Sequence, residues 1–309
     1  MDGISAFPAF CPLSLAHRSA IEAITSRFPP YSDFIFSGLW AWNTDDRCAV
    51  AMLGANLVFR LKDYTSENHY YAFIGQDDVV AASATLLAHA RETGLLPQLR
   101  LIPEEVIVAD ARLHRHFSVA ADRDNFDYVY EMRDWAALPL PRFRTHRKMI
   151  KCCRARAEIA WNLLDATDPA CQMAMNEVFA RWEHQTAVDA GRLDHPEYVA
   201  LQRLFAMPRN ERVGAGGAFA GDRLAGFTIW EALAGGQYAV GHFQKADRAY
   251  KGLTSWQAHA VGQCLQEEGC SLFNAEQDLG IPGLRAHKLS LRPRAFLRKY
   301  TIADPEAQQ

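Results

Sequence analysis

No stretch of this 309-residue sequence approaches the roughly 18 uninterrupted apolar residues of a membrane-crossing helix, so none is expected. Met1 to Ala16 carries Asp2 and two prolines but no basic start, which excludes a secretory signal and points to a cytoplasmic protein, at most peripheral to a membrane. The seven cysteines form no C-x-x-C pair, and Cys152 and Cys153 are adjacent. Neither a disulfide framework nor a zinc knuckle is suggested. Also missing are G-x-G-x-x-G, a Walker loop, G-x-S-x-G and H-E-x-x-H. Hydride transfer, nucleotide hydrolysis, and serine or zinc hydrolysis lose their usual support. No metal site and no required cofactor are expected.

What is present is an uneven distribution of charge. Arg142 to Arg156 holds seven Lys or Arg and no acid, and Arg285 to Lys299 holds six more, again with no acid. With 33 Lys and Arg in all, that leaves 20 basic residues elsewhere against 36 acidic ones. Such segregation sets a local positive potential on an acidic body and suits a phosphate-bearing ligand, although two solvated helix faces would read the same way.

Periodicity gives an α+β chain. Cys48 to Leu53, Asn56 to Lys62 and Tyr70 to Ile74 read as strands of a meander. Asp77-Asp78 offers cap oxygens to a helix that Gly94 ends. Leu99 to Val108 and Phe126 to Met132 read as further strands. Leu138-Pro-Leu-Pro141 cannot continue a helix and marks a boundary, giving domains at 1–140 and 141–309. In the second half a basic helix, a strand at Ile159 to Leu164, two helices and three strands precede a long helix from Gly252 to Gly269. Gly221-Asp222 suits a tight hairpin. The order repeats that of the first half, so two copies of one architecture, with mostly antiparallel sheets, is the economical reading.

Gly241 to Thr254 joins a strand to the N-terminus of that long helix, where backbone N–H groups and the helix dipole favour an anion. Lys245, Arg248 and Lys251 add positive charge, and Gly252 would admit a ligand close to the backbone. Together with Arg144, Arg147, Lys148 and Lys151 they are the candidate contacts for a donor's phosphates. An ordinary glycine-punctuated loop is the plainer alternative. At the mouth of a later strand lie Asn274, Glu276 and Asp278, followed by Arg285, Lys288 and Arg292 on one helical face. Carboxylates for an ammonium and cations for phosphates could hold an aminoacyl group; structural ion pairs fixing a turn are the alternative. Glu231 ends the apolar run Phe227 to Glu231, where a bare carboxylate is costly, and it is the first candidate base. His242 on the next strand is its rival, and Lys288 or Lys245 could stabilise an oxyanion.

Four segments carry a resemblance. They are Ser32-Asp-Phe34 with Leu39-Trp-Ala-Trp42, Asp122-Arg-Asp-x-Phe-Asp-Tyr-Val-Tyr130, Asn274-x-Glu-Gln-Asp-Leu-Gly-x-x-Gly-Leu-Arg-x-x-Lys288, and Lys299-Tyr300. In order and over nearly the whole chain they resemble the phosphatidylglycerol lysyltransferase C-terminal domain family. The resemblance implies two tandem GNAT-like (acyl-CoA N-acyltransferase-like) domains and transfer of an amino acid from aminoacyl-tRNA to an amine or hydroxyl acceptor, a lipid or a small molecule. It further implies a cleft between the domains lined by Glu231, Lys245, Glu276, Asp278, Arg285 and Lys288. The sequence departs from the family in reducing the glycine-rich acetyltransferase turn to Gly252. An acetyl-CoA-dependent N-acetyltransferase, and a non-catalytic tandem module binding tRNA or protein, are the alternatives.

Overall fold

The computed structural model describes residues 3–63, 68–190 and 196–305. The strands are β1 (Cys11–Pro12), β2 (Cys48–Leu53), β3 (Asn56–Lys62), β4 (His69–Ile74), β5 (Gln98–Pro103), β6 (Ser118–Ala121), β7 (Asp127–Glu131), β8 (Ile159–Leu164), β9 (Val213–Ala220), β10 (Arg223–Leu233), β11 (Tyr238–Ala246), β12 (Leu272–Asn274), β13 (Ala295–Leu297) and β14 (Lys299–Ala303). The α-helices are α1 (Arg18–Thr25), α2 (Phe36–Trp42), α3 (Val79–Glu92), α4 (Glu104–Ala109), α5 (Leu113–His116), α6 (Met132–Ala137), α7 (Arg144–Arg154), α8 (Pro169–Ala190), α9 (Pro196–Phe205), α10 (Leu253–Glu267) and α11 (Pro282–Ser290).

The first sheet runs β1-β2-β3-β4-β5-β14-β6. Strands β2, β3 and β4 form the expected antiparallel meander. Successive side chains of a strand alternate faces, and β3 is apolar on both: Leu57 and Phe59 join one core cluster with Ile21, Phe34 and Val50, whereas Val58 joins Phe73, Leu86 and Leu99 in another. Helix α3 begins where Asp78 caps it, its carboxylate accepting from the Ala81 N–H at 3.3 Å. One expected strand divides. The run Leu99 to Val108 is strand only to Pro103; Glu104 and Glu105 then open α4, where acids are favourable in the first turn.

The second sheet runs β13-β7-β12-β11-β10-β9-β8. Gly221-Asp222 makes the β9–β10 turn as expected. β11 and β12 are parallel and pair only at Tyr238–Leu272, Ala239–Phe273 and Val240–Asn274. β11 continues to Ala246 along β10, so from Gly241 onward the β12 side of this strand has left the ladder. A β-bulge places Phe243 opposite Ile229 and Gly241 opposite Trp230, with His242 between them.

Contacts divide the chain into two compact units, Met1–Asp127 with Gln277–Pro282 and Phe296–Gln309, and Tyr128–Glu276 with Gly283–Ala295. This differs from the expected division at 140 and 141. β7 belongs to the second sheet, and β14 returns to the first, between β5 and β6.

Candidate active site

Glu231 is 1% exposed near the end of β10, and it is not bare. Its Oε1 accepts from Asn210 Nδ2 at 3.1 Å and lies 3.3 Å from Arg212 Nη2, while its Oε2 lies 3.3 Å from Nε2 of the buried His242. The two candidate bases are thus one linked pair, a carboxylate behind an imidazole set at the bulge. Asn210 and Arg212 sit in a turn before β9, and no motif in the sequence marks them.

Three residues further along β11, the Lys245 ammonium is buried. It donates to Glu197 Oε1 at 2.7 Å and lies 3.8 Å from the centre of the Trp182 ring and 5.5 Å from that of Phe179. Burial pushes it below the ordinary lysine value, against the opposing pull of Glu197 and Glu276. The expected solvated phosphate contact is therefore an internal ion pair inside an aromatic box. Glu197, in the first turn of α9, carried no sequence signal of this role.

The loop from β11 to α10 is closed by Asp247, whose Oδ1 accepts from the Ala249 N–H at 3.0 Å and from Gln185 Nε2 at 2.8 Å. Exposed Arg248 donates through Nη1 to the Gln185 carbonyl at 3.1 Å, and Lys251 is exposed. Gly252 caps α10 with φ +94°, and a Cβ there would collide with the carbonyl of Met149 on α7. Close approach is indeed what this glycine permits, but the approaching backbone is that of the basic helix.

That helix shows why its sequence is charged. Arg144, Arg147, Lys148, Lys151 and Arg154 are exposed, while His146, Ile150 and Cys153 point inward at helical spacing. Arg142 Nη2 donates to the Arg292 carbonyl at 2.8 Å, and His146 bridges Ser255 at 3.0 Å and the Ser290 carbonyl at 2.9 Å. The two acid-free segments, far apart in sequence, therefore meet within the second unit beside the start of α10. Lys299, the last cation of the second run, does not join them. It is fully buried in the first unit between Asp127, at 2.7 Å, and Asp33.

Of the residues expected to seat an aminoacyl group, buried Asn274 accepts the Glu276 N–H at 2.7 Å, so it shapes the turn. Lys288 donates to the carbonyls of Ala275 and Glu276, the latter at 3.2 Å, and Arg285 is half-buried on the same helix. Asp278 belongs to the first unit, where it is buried, accepts from the Gly280 N–H at 2.9 Å and pairs with Arg123 at 3.2 Å. Asn274, Glu276 and Lys288 are thus gathered at the end of β12, while Asp278 is engaged elsewhere. A cavity of about 380 Å³ reaches Asn210 but not Glu231 and opens between β8 and the turn before β9. No cluster of metal-ligating side chains is found among the described residues. None of the described helices is long and apolar enough to cross a membrane.

The sequence profile of phosphatidylglycerol lysyltransferase, C-terminal, matches residues 26–303. Comparison with curated proteins returns no match. Among solved structures, the chain is similar to a conserved protein of unknown function from Bacteroides thetaiotaomicron VPI-5482, with 23% identity, 96% of this chain and 99% of that one covered, and a TM-score of 0.77. It is similar also to the C-terminal domain of a putative lysylphosphatidylglycerol synthetase from Agrobacterium fabrum, at 12% identity, 95% and 93% coverage and a TM-score of 0.64. A third is L-PGS from Bacillus licheniformis, at 11% identity, 99% and 94% coverage and a TM-score of 0.62. With two mixed sheets flanked by helices and a profile match over most of its length, the chain belongs to the phosphatidylglycerol lysyltransferase C-terminal family and has its tandem GNAT-like α+β fold.

Proposed function

We propose that this GNAT-like acyltransferase takes an amino acid from aminoacyl-tRNA and passes it to a hydroxyl or amine acceptor, a lipid head group by preference, working at the membrane surface. The observation that carries the reading is the meeting of the two basic segments, Arg142 with Arg292 and His146 with Ser290. It makes one positive surface of Arg144, Arg147, Lys148 and Lys151, next to Lys251 and the N-terminus of α10, suited to a run of phosphates. The packing of Met149 against Gly252 speaks for tRNA over coenzyme A, because backbone fills the space beside the glycine.

In the proposed chemistry the acceptor attacks the ester carbonyl of the donor. His242 takes the acceptor proton, and Glu231, held by Asn210 and Arg212, orients the ring and stabilises the imidazolium. With Nε2–H turned to Glu231, the basic nitrogen is Nδ1. A backbone N–H released at the bulge, with Lys288, would stabilise the oxyanion, and binding both substrates together supplies much of the acceleration. The ribose oxygen leaves with that proton. The test is transfer of labelled amino acid from charged tRNA to phosphatidylglycerol vesicles or a lipid-free acceptor extract. Transfer is expected with tRNA and none from acetyl-CoA. Label remaining on tRNA with every acceptor, or heat on titrating coenzyme A at micromolar concentration, would overturn the reading.

A further inference from the structure

The first unit carries a second cavity that the transfer reading does not use. It measures about 350 Å³ and is walled chiefly by Phe10, Arg60, His69, Tyr71 and His89. Its origin lies in the β3–β4 register. Arg60 stands opposite Tyr71, and Lys62 opposite His69, so alternation puts all four on one face of the sheet. Phe10 lies parallel to Tyr71, with ring centres 5.5 Å apart and planes 4° from coplanar. The Tyr71 hydroxyl and His89 Nδ1 are 2.9 Å apart, which fixes the two flat groups of the wall against each other.

Arg60 completes the arrangement. Its guanidinium stacks over the other aromatic wall, 5.5 Å from the Phe10 centre, and the residue is exposed. Stacking holds the planar fork without using its N–H groups, which leaves them suited to a bidentate oxyanion. Among the described residues no Asp or Glu lines the cavity, and Arg60 has no carboxylate partner. The space is within the range of small-molecule sites, and the lining combines apolar flat walls with one directed cation.

We propose that this cavity binds a small carboxylate bearing a flat ring, with the ring against the half-buried Phe10 and His89 side chains and the carboxylate on Arg60. The site lies wholly in the first unit and is independent of the transfer chemistry. The experiment is calorimetric titration of the full chain with benzoate, with cyclohexanecarboxylate and benzyl alcohol as controls, and amide NMR to locate the shifts. Benzoate is expected to saturate, each control to bind at least about tenfold more weakly, and shifts to fall on His69–Tyr71 and His89–Leu95. Arg60→Gln should weaken benzoate at least about tenfold, and Arg60→Lys, which keeps the charge but loses the fork, should weaken it too. Absence of saturation, equal binding of cyclohexanecarboxylate, an Arg60→Gln protein that binds like the original, or shifts confined to the second unit would each overturn the proposal. None of those results bears on aminoacyl transfer.

Discussion

The ammonium of Lys245 lies 2.7 Å from Glu197 Oε1, joining the end of β11 to the first turn of α9. A buried ion pair of this kind is worth little against apolar replacement but costs about 3 to 5 kcal/mol when one partner is left alone. Glu197→Gln leaves the buried ammonium without its counter-ion and should lower stability by about 3 kcal/mol. Lys245→Met leaves only a carboxylate with an outlet to solvent, and should cost less. Urea unfolding of the two variants checks the order.

The same lysine predicts a pH dependence. Its folded-state value is depressed below the ordinary 10.5, chiefly by burial, so between those two values the unfolded chain binds the extra proton. This contribution to stability therefore rises with pH up to the ordinary lysine value. Lys245→Met should flatten that alkaline limb of a melting-temperature profile, whereas Arg248→Gln, on an exposed neighbour, should not.

Removal of a positioned general base lowers a rate by about 10²- to 10⁴-fold. His242→Ala should reduce single-turnover transfer within that range with charged tRNA still bound. Glu231→Gln should fall less far, since the imidazole remains and only its orientation and charge support are lost. A larger loss for Glu231→Gln than for His242→Ala would reverse the assigned roles.

Arg144, Lys148 and Lys151 are exposed along α7 and should contact phosphates. Replacing all three by Gln should weaken tRNA binding and lower the slope of log K against log salt by about 2 to 3. Filter binding across a salt series gives the slope directly. An unchanged slope would remove this helix from the tRNA surface.

Gly252→Ala meets two obstacles, a φ of +94° and the Met149 carbonyl. A loss of about 1 to 3 kcal/mol is expected, read as a fall in melting temperature.

The meander from Cys48 to Ile74, the Asp78 cap, the Gly221-Asp222 turn and the basic helix were legible because local rules decide them. Glu231 and His242 were legible as unusual residues in apolar strands, but their pairing was not, since it depends on the β10–β11 register and its bulge. Lys245 and Lys299 misled for one reason: a cation reads as exposed unless its partner is known. Glu197 is 48 residues from Lys245 in sequence, and Asp127 is 172 from Lys299. Val106, Ile107 and Val108 prolonged an apparent strand because β-branched residues favour one, and the acids that turn them into α4 act only at a helix start.

The chain leaves the second unit after Glu276, re-enters it at Gly283, and leaves again after Ala295. Neither half is consequently a contiguous gene segment, and a stop codon placed after the second sheet's last helix would delete β14 from the middle of the first sheet, baring the edges of β5 and β6. Newly made protein therefore holds an incomplete first sheet until β14 emerges, and no single cut divides this molecule into its two units.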